Sequence, residues 1–275
     1  MFEGLKRIVA AIVAFFTALF GGGGKLPYVP ISNATQTIVM HINPINGIRQ
    51  FEGACCDGEY VYINMINPSK DSKQGSVIVK IDPSGDSWKS VLVSKEMTQL
   101  NHANDMTYDP RIDLLMVSNN APNYTLVSAV YRDTLEYKAG MTIEHPLYSL
   151  CYYGTPEKGR YLAGISGTYT IGSYDGKFDT IETFEGVNSG YTRQSLATDN
   201  EYLYFLFSGP NCVYKYTIDG QYIGRSMLPD PEKADFEFEA EGIFFYNDKM
   251  YVTYNIPGAG NGGIICRVDK ISFVK

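Results

Sequence analysis

Residues 194–205 read Gln-Ser-Leu-Ala-Thr-Asp-Asn-Glu-Tyr-Leu-Tyr-Phe. A polar residue opens a short apolar strand, a polar turn follows, and a second strand rich in tyrosine and leucine returns. The same pattern begins at Glu52, Asn104 and Glu241, and a degenerate copy begins at Tyr148. Successive copies start 44 to 52 residues apart, which is the length of one β-propeller blade. The sequence therefore predicts an all-β fold, a five-bladed β-propeller.

Each repeat also has a second half, which contains another strand and a tight turn. Asp82-Pro83-Ser84-Gly85, Asp175-Gly176 and Asp219-Gly220 are turns of this kind. Glycine supplies the positive φ and proline the fixed φ that hairpin turns need. We therefore expect four short strands in each unit. A β-sandwich with chance spacing is the alternative, but sandwiches do not repeat a polar strand start at one period.

A strand-like segment precedes the first repeat, at residues 35–42. The last repeat ends soon after residues 264–268. A propeller must close its ring, and closure removes the free sheet edges that invite aggregation. We therefore expect residues 35–42 to complete the last blade, so that residues 35–275 form the propeller and residues 25–34 form a linker.

Composition limits the class of protein and its partners. The chain has 275 residues, of which 44% are hydrophobic and 19% are charged, and its formal net charge is −7. This composition favours a packed core over disorder. The body of the chain has no cluster of lysine and arginine, so nucleic acid is not an expected partner. The five cysteines form no CxxC pair, which disfavours a disulfide framework and a zinc site.

The first 24 residues differ in character from the repeats. Lys6 and Arg7 precede an apolar run at residues 8–20, and four glycines follow it. As a helix this run spans about 20 Å, less than the roughly 30 Å of a bilayer core. Residues 1–24 are therefore interpreted as a signal peptide, or alternatively as an uncleaved helical anchor that contacts a membrane through residues 8–20. Either interpretation makes the protein secreted or membrane-attached, outside the cytoplasm.

The innermost strand of each blade lines the central channel of a propeller, so the repeated first positions predict a ring of side chains at the channel mouth. Carboxylates, amides, a histidine and an arginine converge there from distant parts of the sequence. The alternative is a solvated mouth whose polar residues only face water. The candidate ligand-binding residues are Glu52, His102, Asn104, Asp105, Tyr148, Arg193, Gln194, Glu239 and Glu241.

The chemistry of this ring suits calcium better than zinc, because hard cations prefer carboxylate and amide oxygens. The alternative for Asn104 and Asp105 is that they hydrogen-bond the backbone where a strand begins. The sequence contains no nucleophile elbow, dinucleotide fingerprint or phosphate loop, so no catalytic residue is assigned.

Two segments carry a resemblance to known proteins. Residues 102–108 (His-Ala-Asn-Asp-Met-Thr-Tyr) and 193–196 (Arg-Gln-Ser-Leu) resemble segments of secreted bacterial propellers. The layout of the chain resembles the helveticin-J-like group and, more distantly, the lactonase and plant-type glutaminyl cyclase propellers. The lactonase resemblance implies a divalent cation held by Glu52, Asn104 and Glu241. Plant-type glutaminyl cyclases carry Thr-Gln-Gly-Leu in place of residues 193–196, so their catalytic residues are not carried over.

The sequence leaves open whether the protein is an enzyme. The first function that we expect is an exported or membrane-tethered propeller that binds a small molecule, a glycan or a surface protein at the channel mouth. The alternative is a divalent-cation-dependent hydrolase, lactonase or cyclase that acts in the channel. Carboxylates within about 5 Å of a common point would favour catalysis, whereas a ring splayed around a wide channel would favour binding.

Overall fold

A computed structural model describes residues 33–67, 75–120, 123–232, 237–258, 260 and 262–275. Within these residues, twenty strands form five four-stranded antiparallel sheets, and a 3-10 turn lies at Thr98–Leu100. The expected all-β, five-bladed propeller is confirmed. No helix in the described part of the chain is long and apolar enough to cross a membrane. The expected N-terminal apolar helix and its flanking linker up to residue 32 lie outside the described residues.

Four of the blades are each built from four consecutive strands, ordered from the channel to the rim. Blade 1 contains β2 (Gln50–Cys56), β3 (Val61–Ile66), β4 (Ser76–Asp82) and β5 (Lys89–Val93). Blade 2 contains β6 (Ala103–Asp109), β7 (Leu114–Asn119), β8 (Leu126–Tyr131) and β9 (Tyr137–Thr142). Blade 3 contains β10 (Leu147–Gly154), β11 (Gly159–Ile165), β12 (Thr170–Tyr174) and β13 (Thr180–Glu185). Blade 4 contains β14 (Thr192–Thr198), β15 (Tyr202–Ser208), β16 (Cys212–Thr217) and β17 (Tyr222–Met227).

Blade 5 joins the two ends of the propeller. It contains β18 (Glu239–Tyr246), β19 (Lys249–Asn255) and β20 (Gly263–Ile271), and its outermost strand is β1 (Ala34–Ile42). β1 pairs antiparallel with β20 along its whole length, so the edge of β20 is covered rather than open to another chain. The prediction that residues 35–42 close the ring is confirmed, and Ala34, which was assigned to the linker, already belongs to this strand.

The innermost strands β2, β6, β10, β14 and β18 lie side by side around the channel in chain order. Each begins one or two residues before its predicted position. The prediction of blade starts near Glu52, Asn104, Tyr148, Gln194 and Glu241 is therefore confirmed, including the degenerate third copy.

The hydrophobic core is divided among the five junctions between neighbouring blades. At the junction of blades 3 and 4, for example, the ring of Tyr148 stacks on Phe205 with centroids 5.8 Å apart, and Phe205 lies 4.5 Å from Phe207. The abundant aromatic residues thus fill the space where one sheet packs on the next. All five cysteines carry free thiols and four of them are buried, as expected for small apolar residues of strands.

Asparagine side chains join neighbouring blades close to the channel. Asn255 of blade 5 brackets one residue of blade 1, because its Oδ1 accepts from Phe51 N at 2.6 Å and its Nδ2 donates to Phe51 O at 3.2 Å. Asn211 of blade 4 likewise makes two hydrogen bonds to the backbone at the start of blade 5. Its Nδ2 donates to Phe238 O at 2.6 Å, and its Oδ1 accepts from Ala240 N at 2.9 Å. Asn64 and Asn104 donate to backbone carbonyls of the next blade. These bonds fix the inner strands relative to one another.

Candidate functional site

A β-bulge interrupts each of the five innermost strands near its start. The pairing register shifts between Phe51 and Ala54 in β2, and at the equivalent place in β6, β10, β14 and β18. A bulge leaves an extra residue out of the ladder and re-aims its side chain. The predicted ring positions all lie inside these shifts: Glu52, Asn104, Tyr148, Gln194 and Glu241.

The five bulge side chains line a cavity of about 640 Å³ at one mouth of the channel. Asn255, Tyr169 and Tyr191 complete its wall, together with other polar residues. Among the nine predicted ligand-binding residues, all but Asp105 line this cavity: Glu52, His102, Asn104, Tyr148, Arg193, Gln194, Glu239 and Glu241. The side chains that the repeat predicted to converge are thus brought together by equivalent backbone features of five blades.

Three glutamates from blades 5 and 1 form one wall of the cavity, which we call the glutamate wall: Glu52, Glu239 and Glu241. Glu52 Oε2 lies 3.1 Å from His102 Nε2. Burial raises the pKa of Glu52, and the hydrogen bond and charge of His102 offset this effect only in part. Burial lowers the pKa of His102, but the hydrogen bond to Glu52 and the charge of Glu52 together outweigh burial, so the pKa of His102 is raised.

Glu241 is the deepest member of the glutamate wall, with 6% of its surface exposed. Asn255 Nδ2 donates to Glu241 Oε1 at 2.8 Å. Burial raises the pKa of Glu241 well above its ordinary value, and the negative charges of Glu52 and Glu239 raise it further. Burial, these two charges and a hydrogen bond with Glu239 therefore all oppose ionisation of Glu241.

Amide and hydroxyl groups orient this wall. Gln194 Nε2 donates to Ser208 Oγ at 2.9 Å and, over a longer distance of 3.4 Å, to Glu239 Oε1. On the neighbouring side, Asn104 Oδ1 accepts a hydrogen bond from Asn120 Nδ2 at 3.0 Å. Gln194 therefore connects blade 4 to the glutamate wall, whereas the amide of Asn104 is occupied by bonds within the protein.

An arginine and two tyrosines form a second wall, which we call the arginine–tyrosine wall. The guanidinium carbon of Arg193 lies 5.1 Å from the ring centres of both Tyr148 and Tyr169. Arg193 Nη1 also donates to the carbonyl of Thr168. A guanidinium placed over aromatic faces is held by cation–π attraction. Both tyrosines belong to blade 3 and Arg193 belongs to blade 4, whereas the glutamate wall belongs to blades 5 and 1, so the two walls line different parts of the same cavity.

Asp105 differs from its predicted role, because it forms the floor beneath the cavity rather than part of its wall. It is fully buried. Burial raises its pKa to about 8, although the hydrogen bonds that it accepts lower it. Its carboxylate accepts from groups of blades 2, 3 and 4: Met106 N at 2.9 Å, Leu150 N at 3.0 Å, Leu196 N at 3.1 Å and Ser195 Oγ at 2.8 Å. This residue ties three blades together on the channel axis.

Small residues complete the floor next to Asp105. The residues that follow the other four ring positions are Gly53, Ser149, Ser195 and Gly242. A Cβ on Gly53 would lie 2.4 Å from Asp105 Cα, and a Cβ on Gly242 would lie 2.9 Å from Ala54 N. Only glycine lets the inner strands approach this closely. A separate cavity of about 240 Å³ lies beyond the floor.

Several contributors to the site were not predicted from the sequence, among them Asn255, Ser208, Tyr169, Tyr191 and Asn120. Asn255 and Ser208 occupy the last position of the second strand of their blades, β19 and β15. Asn119 ends the second strand of blade 2 in the same way. In blades 4 and 5 this polar strand end bonds the bulge residue of its own blade, since Ser208 accepts from Gln194 and Asn255 donates to Glu241. In blade 2, Asn119 donates to Ser128 instead.

The predicted calcium ligands do not form a recognisable metal centre. Glu52 Oε2 is paired with His102, and Asn104 Oδ1 accepts from Asn120. In the part of the chain that the structure describes, no three His, Cys, Asp or Glu side chains are grouped so that they could hold a metal ion. Calcium binding by Glu52, Asn104 and Glu241 stays a prediction.

Comparisons with known proteins agree with this architecture. No protein-family model matches the sequence, and no curated protein matches it. The tail fibre of a Staphylococcus aureus phage superposes with a TM-score of 0.63 and 15% identity, covering 94% of this chain and 56% of the tail-fibre chain. This chain therefore spans little more than half of that neighbour's length.

Two further neighbours are similar in size to this chain. Glutaminyl cyclase from Myxococcus xanthus gives a TM-score of 0.58 and 10% identity, covering 87% of this chain and 99% of that chain. The calcium-binding protein regucalcin from Agrobacterium tumefaciens gives a TM-score of 0.50 and 12% identity, covering 90% and 98%. Identities this low establish the fold alone. Enzymes, including a glutaminyl cyclase, are thus among the structural neighbours. The resemblance to the helveticin-J-like group stays a prediction. What the comparisons establish is that the chain is a five-bladed β-propeller.

Proposed function

We propose that this chain binds a small polar molecule in the cavity of about 640 Å³ at the channel mouth. The observation that carries the proposal is the set of five bulges, one in each inner strand. Each bulge leaves a residue of the inner strand unpaired and directs its side chain into the same cavity. A mouth that only faces water needs no such feature in every blade.

The cavity has the size and chemistry of a small-molecule site. Its volume lies within the roughly 300–1,000 Å³ that is typical of ligand pockets. Carboxylates, amides, tyrosines and an arginine supply both hydrogen-bond donors and acceptors. The buried Asp105 floor closes the cavity below, which favours a compact ligand over a polymer that threads the channel. A small molecule is therefore the ligand that we favour over a glycan chain or a surface protein.

A thermal-shift screen of the purified protein tests this function. Compounds that bind the folded state raise the melting temperature by mass action. We expect at least one class of small polar compound to do so, and Gln194→Ala to remove the effect because Gln194 lines the cavity. Gln221→Ala, in an exposed turn at the rim of the same blade, is the matched control. The proposal is wrong if no polar compound shifts the melting temperature, or if both variants respond like the wild type.

We also propose that the protein is exported or held at a membrane, on the strength of Lys6-Arg7 and the apolar run at residues 8–20. Expression of the full chain with a C-terminal tag, followed by cell fractionation, tests this. Recovery in the medium or with membranes is expected, and removal of residues 1–24 should retain the protein inside the cell. Cytoplasmic recovery of both forms would contradict export.

A divalent-cation-dependent hydrolase, lactonase or cyclase is the second candidate. One observation favours it: the charges of Glu52 and Glu239 oppose ionisation of Glu241, and a bound cation would relieve that repulsion. Calcium at a hundredfold excess over its Kd would stabilise the protein by about 2.7 kcal/mol. Calcium should therefore raise the melting temperature of the wild type, and the Glu52→Gln, Glu241→Gln double variant should abolish that rise. An unchanged melting temperature in calcium and magnesium would count against this enzyme.

A further inference from the structure

Building on the binding function proposed above, we propose that the ligand is a small zwitterion. Its ammonium group would lie against the glutamate wall, and its anionic group would lie against Arg193. The inference starts from the presence of two walls of opposite charge in one cavity. The glutamate wall has hydrogen-bond acceptors, and Arg193 has hydrogen-bond donors, that the described part of the protein does not fully use.

The glutamate wall has acceptors that the protein does not fully use. Glu52 is 8% exposed, and its Oε2 pairs with His102 at 3.1 Å. Its other carboxylate oxygen has no hydrogen-bond partner among the described residues. Glu239 is exposed, and besides its hydrogen bond with Glu241 it receives long hydrogen bonds of 3.4 Å from Gln194 and 3.5 Å from Ser208. An ammonium group carries three donors and a positive charge, so it matches these acceptors.

The electrostatics of the glutamate wall favour a cationic ligand group over a neutral one. Burial and the neighbouring carboxylates raise the pKa of Glu52 and of Glu241, which means that negative charge is poorly compensated there. His102 is the cation that the cavity itself places against this wall. A ligand ammonium would add the missing positive charge, whereas a hydroxyl group of a sugar would not.

The arginine–tyrosine wall has unused donors. Arg193 is held by the faces of Tyr148 and Tyr169 and by one bond from Nη1 to Thr168 O. A guanidinium has five N–H donors, and no carboxylate of the described chain lies within ion-pair distance of Arg193. Arginine binds carboxylates through two parallel hydrogen bonds when its orientation is fixed. Arg193 is thus pre-oriented for an anionic ligand group.

The opposite charges of the two walls select a ligand that carries both charges. A simple amine would leave Arg193 without a counter-ion, and a simple carboxylate would leave the glutamate wall without one. A neutral sugar would satisfy neither wall. A zwitterion whose charges are separated by the right number of carbons pairs with both walls at once.

Isothermal titration calorimetry of the full chain with linear ω-amino acids, from glycine to 6-aminohexanoate, tests this proposal. Each is compared with the amine and the carboxylate of the same length, for example butylamine and butanoate for 4-aminobutanoate, and with glucose. We expect one chain length to bind at least tenfold more tightly than either singly charged analogue. The best length reports the distance between the walls.

Variants assign the two ends of the ligand. Arg193→Met keeps an apolar side chain over the tyrosines but removes the charge, so it should abolish the preference for the zwitterion over the amine. Glu52→Gln should reduce the preference over the carboxylate. Arg160→Met is the matched control, because Arg160 also lies over a tyrosine, 5.5 Å from the ring of Tyr153, but does not line the cavity.

The outcomes separate this inference from the function on which it rests. Glucose binding that Gln194→Ala removes, without zwitterion binding, would leave a polar-ligand site but overturn the zwitterion. Equal affinities for a zwitterion and its amine would also overturn it, because Arg193 would then contribute nothing. No binding of any compound would contradict both proposals.

Discussion

Asn255 is the residue whose removal tests the closing junction of the propeller most directly. It brackets Phe51 N at 2.6 Å and Phe51 O at 3.2 Å, and it also donates to Glu241 Oε1 at 2.8 Å. Asn255→Ala would leave both backbone groups of Phe51 buried without a partner. Such losses cost about 1–3 kcal/mol for each group, so we expect a total destabilisation of about 3 kcal/mol. That is a large fraction of a typical unfolding free energy of about 5–15 kcal/mol.

The single tryptophan reports on this junction. Trp88 of blade 1 packs against Tyr251 of blade 5, with ring centroids 4.9 Å apart. Urea unfolding followed by Trp88 fluorescence and by circular dichroism gives the free energy of unfolding. Asn211→Ala is the matched control, because Asn211 makes an equivalent bracket between blades 4 and 5. Both variants should lose similar stability, but only Asn255→Ala should change the native emission of Trp88.

Two results would refute this reasoning. An unfolding midpoint of Asn255→Ala equal to that of the wild type would show that the bracket contributes nothing to closure. A change of native Trp88 emission in Asn211→Ala as large as that in Asn255→Ala would show that the junctions do not respond separately.

Three further predictions concern the wall, the floor and the closure. The raised pKa of Glu241 favours a proton on the folded protein that the unfolded chain loses above about pH 4.5, so Glu241 makes stability fall as pH rises. Glu241→Gln removes this loss, so its melting temperature relative to that of the wild type should be higher at pH 8 than at pH 5. Gly53→Ala should destabilise by about 1–3 kcal/mol in urea, since its Cβ would lie 2.4 Å from Asp105 Cα; a neutral result would contradict the packed floor. Deletion of residues 1–24 should leave a monomer by size-exclusion chromatography, whereas deletion of residues 1–43 should expose the edge of β20 and cause aggregation. Equal elution volumes of the two truncated proteins would argue against closure by β1.

The fold could be predicted from the sequence because a blade is a local unit. Each repeat pairs its own four strands through short turns, so a period of 44 to 52 residues is enough to count blades. The closing strand could be predicted because a ring must cover its last edge. The first 24 residues follow no repeat, and their interpretation rests on composition alone.

The site could be predicted only in part, because the bulge in each inner strand determines which of its side chains face the channel. Asn104 and Asp105 are adjacent, and the sequence placed both in the site. In a strand, consecutive side chains point to opposite sides, and the one-residue bulge at Asn104 determines which of them enters the cavity. The bulge results from packing among five blades, which no local pattern of residues specifies.

The bulges also provide the strongest reason to treat the ring as a site rather than as a solvated opening. The residue after each ring position is buried in the floor, where Asp105 and Ser195 join blades that are far apart in sequence. The ring residue itself is released from the ladder and faces the cavity. The same short segment therefore places one residue in the floor and directs the side chain of the residue before it into the cavity. A propeller that needed only a stable axis could form the floor without turning these side chains into the cavity, so the convergence of five polar side chains is the feature that function must explain.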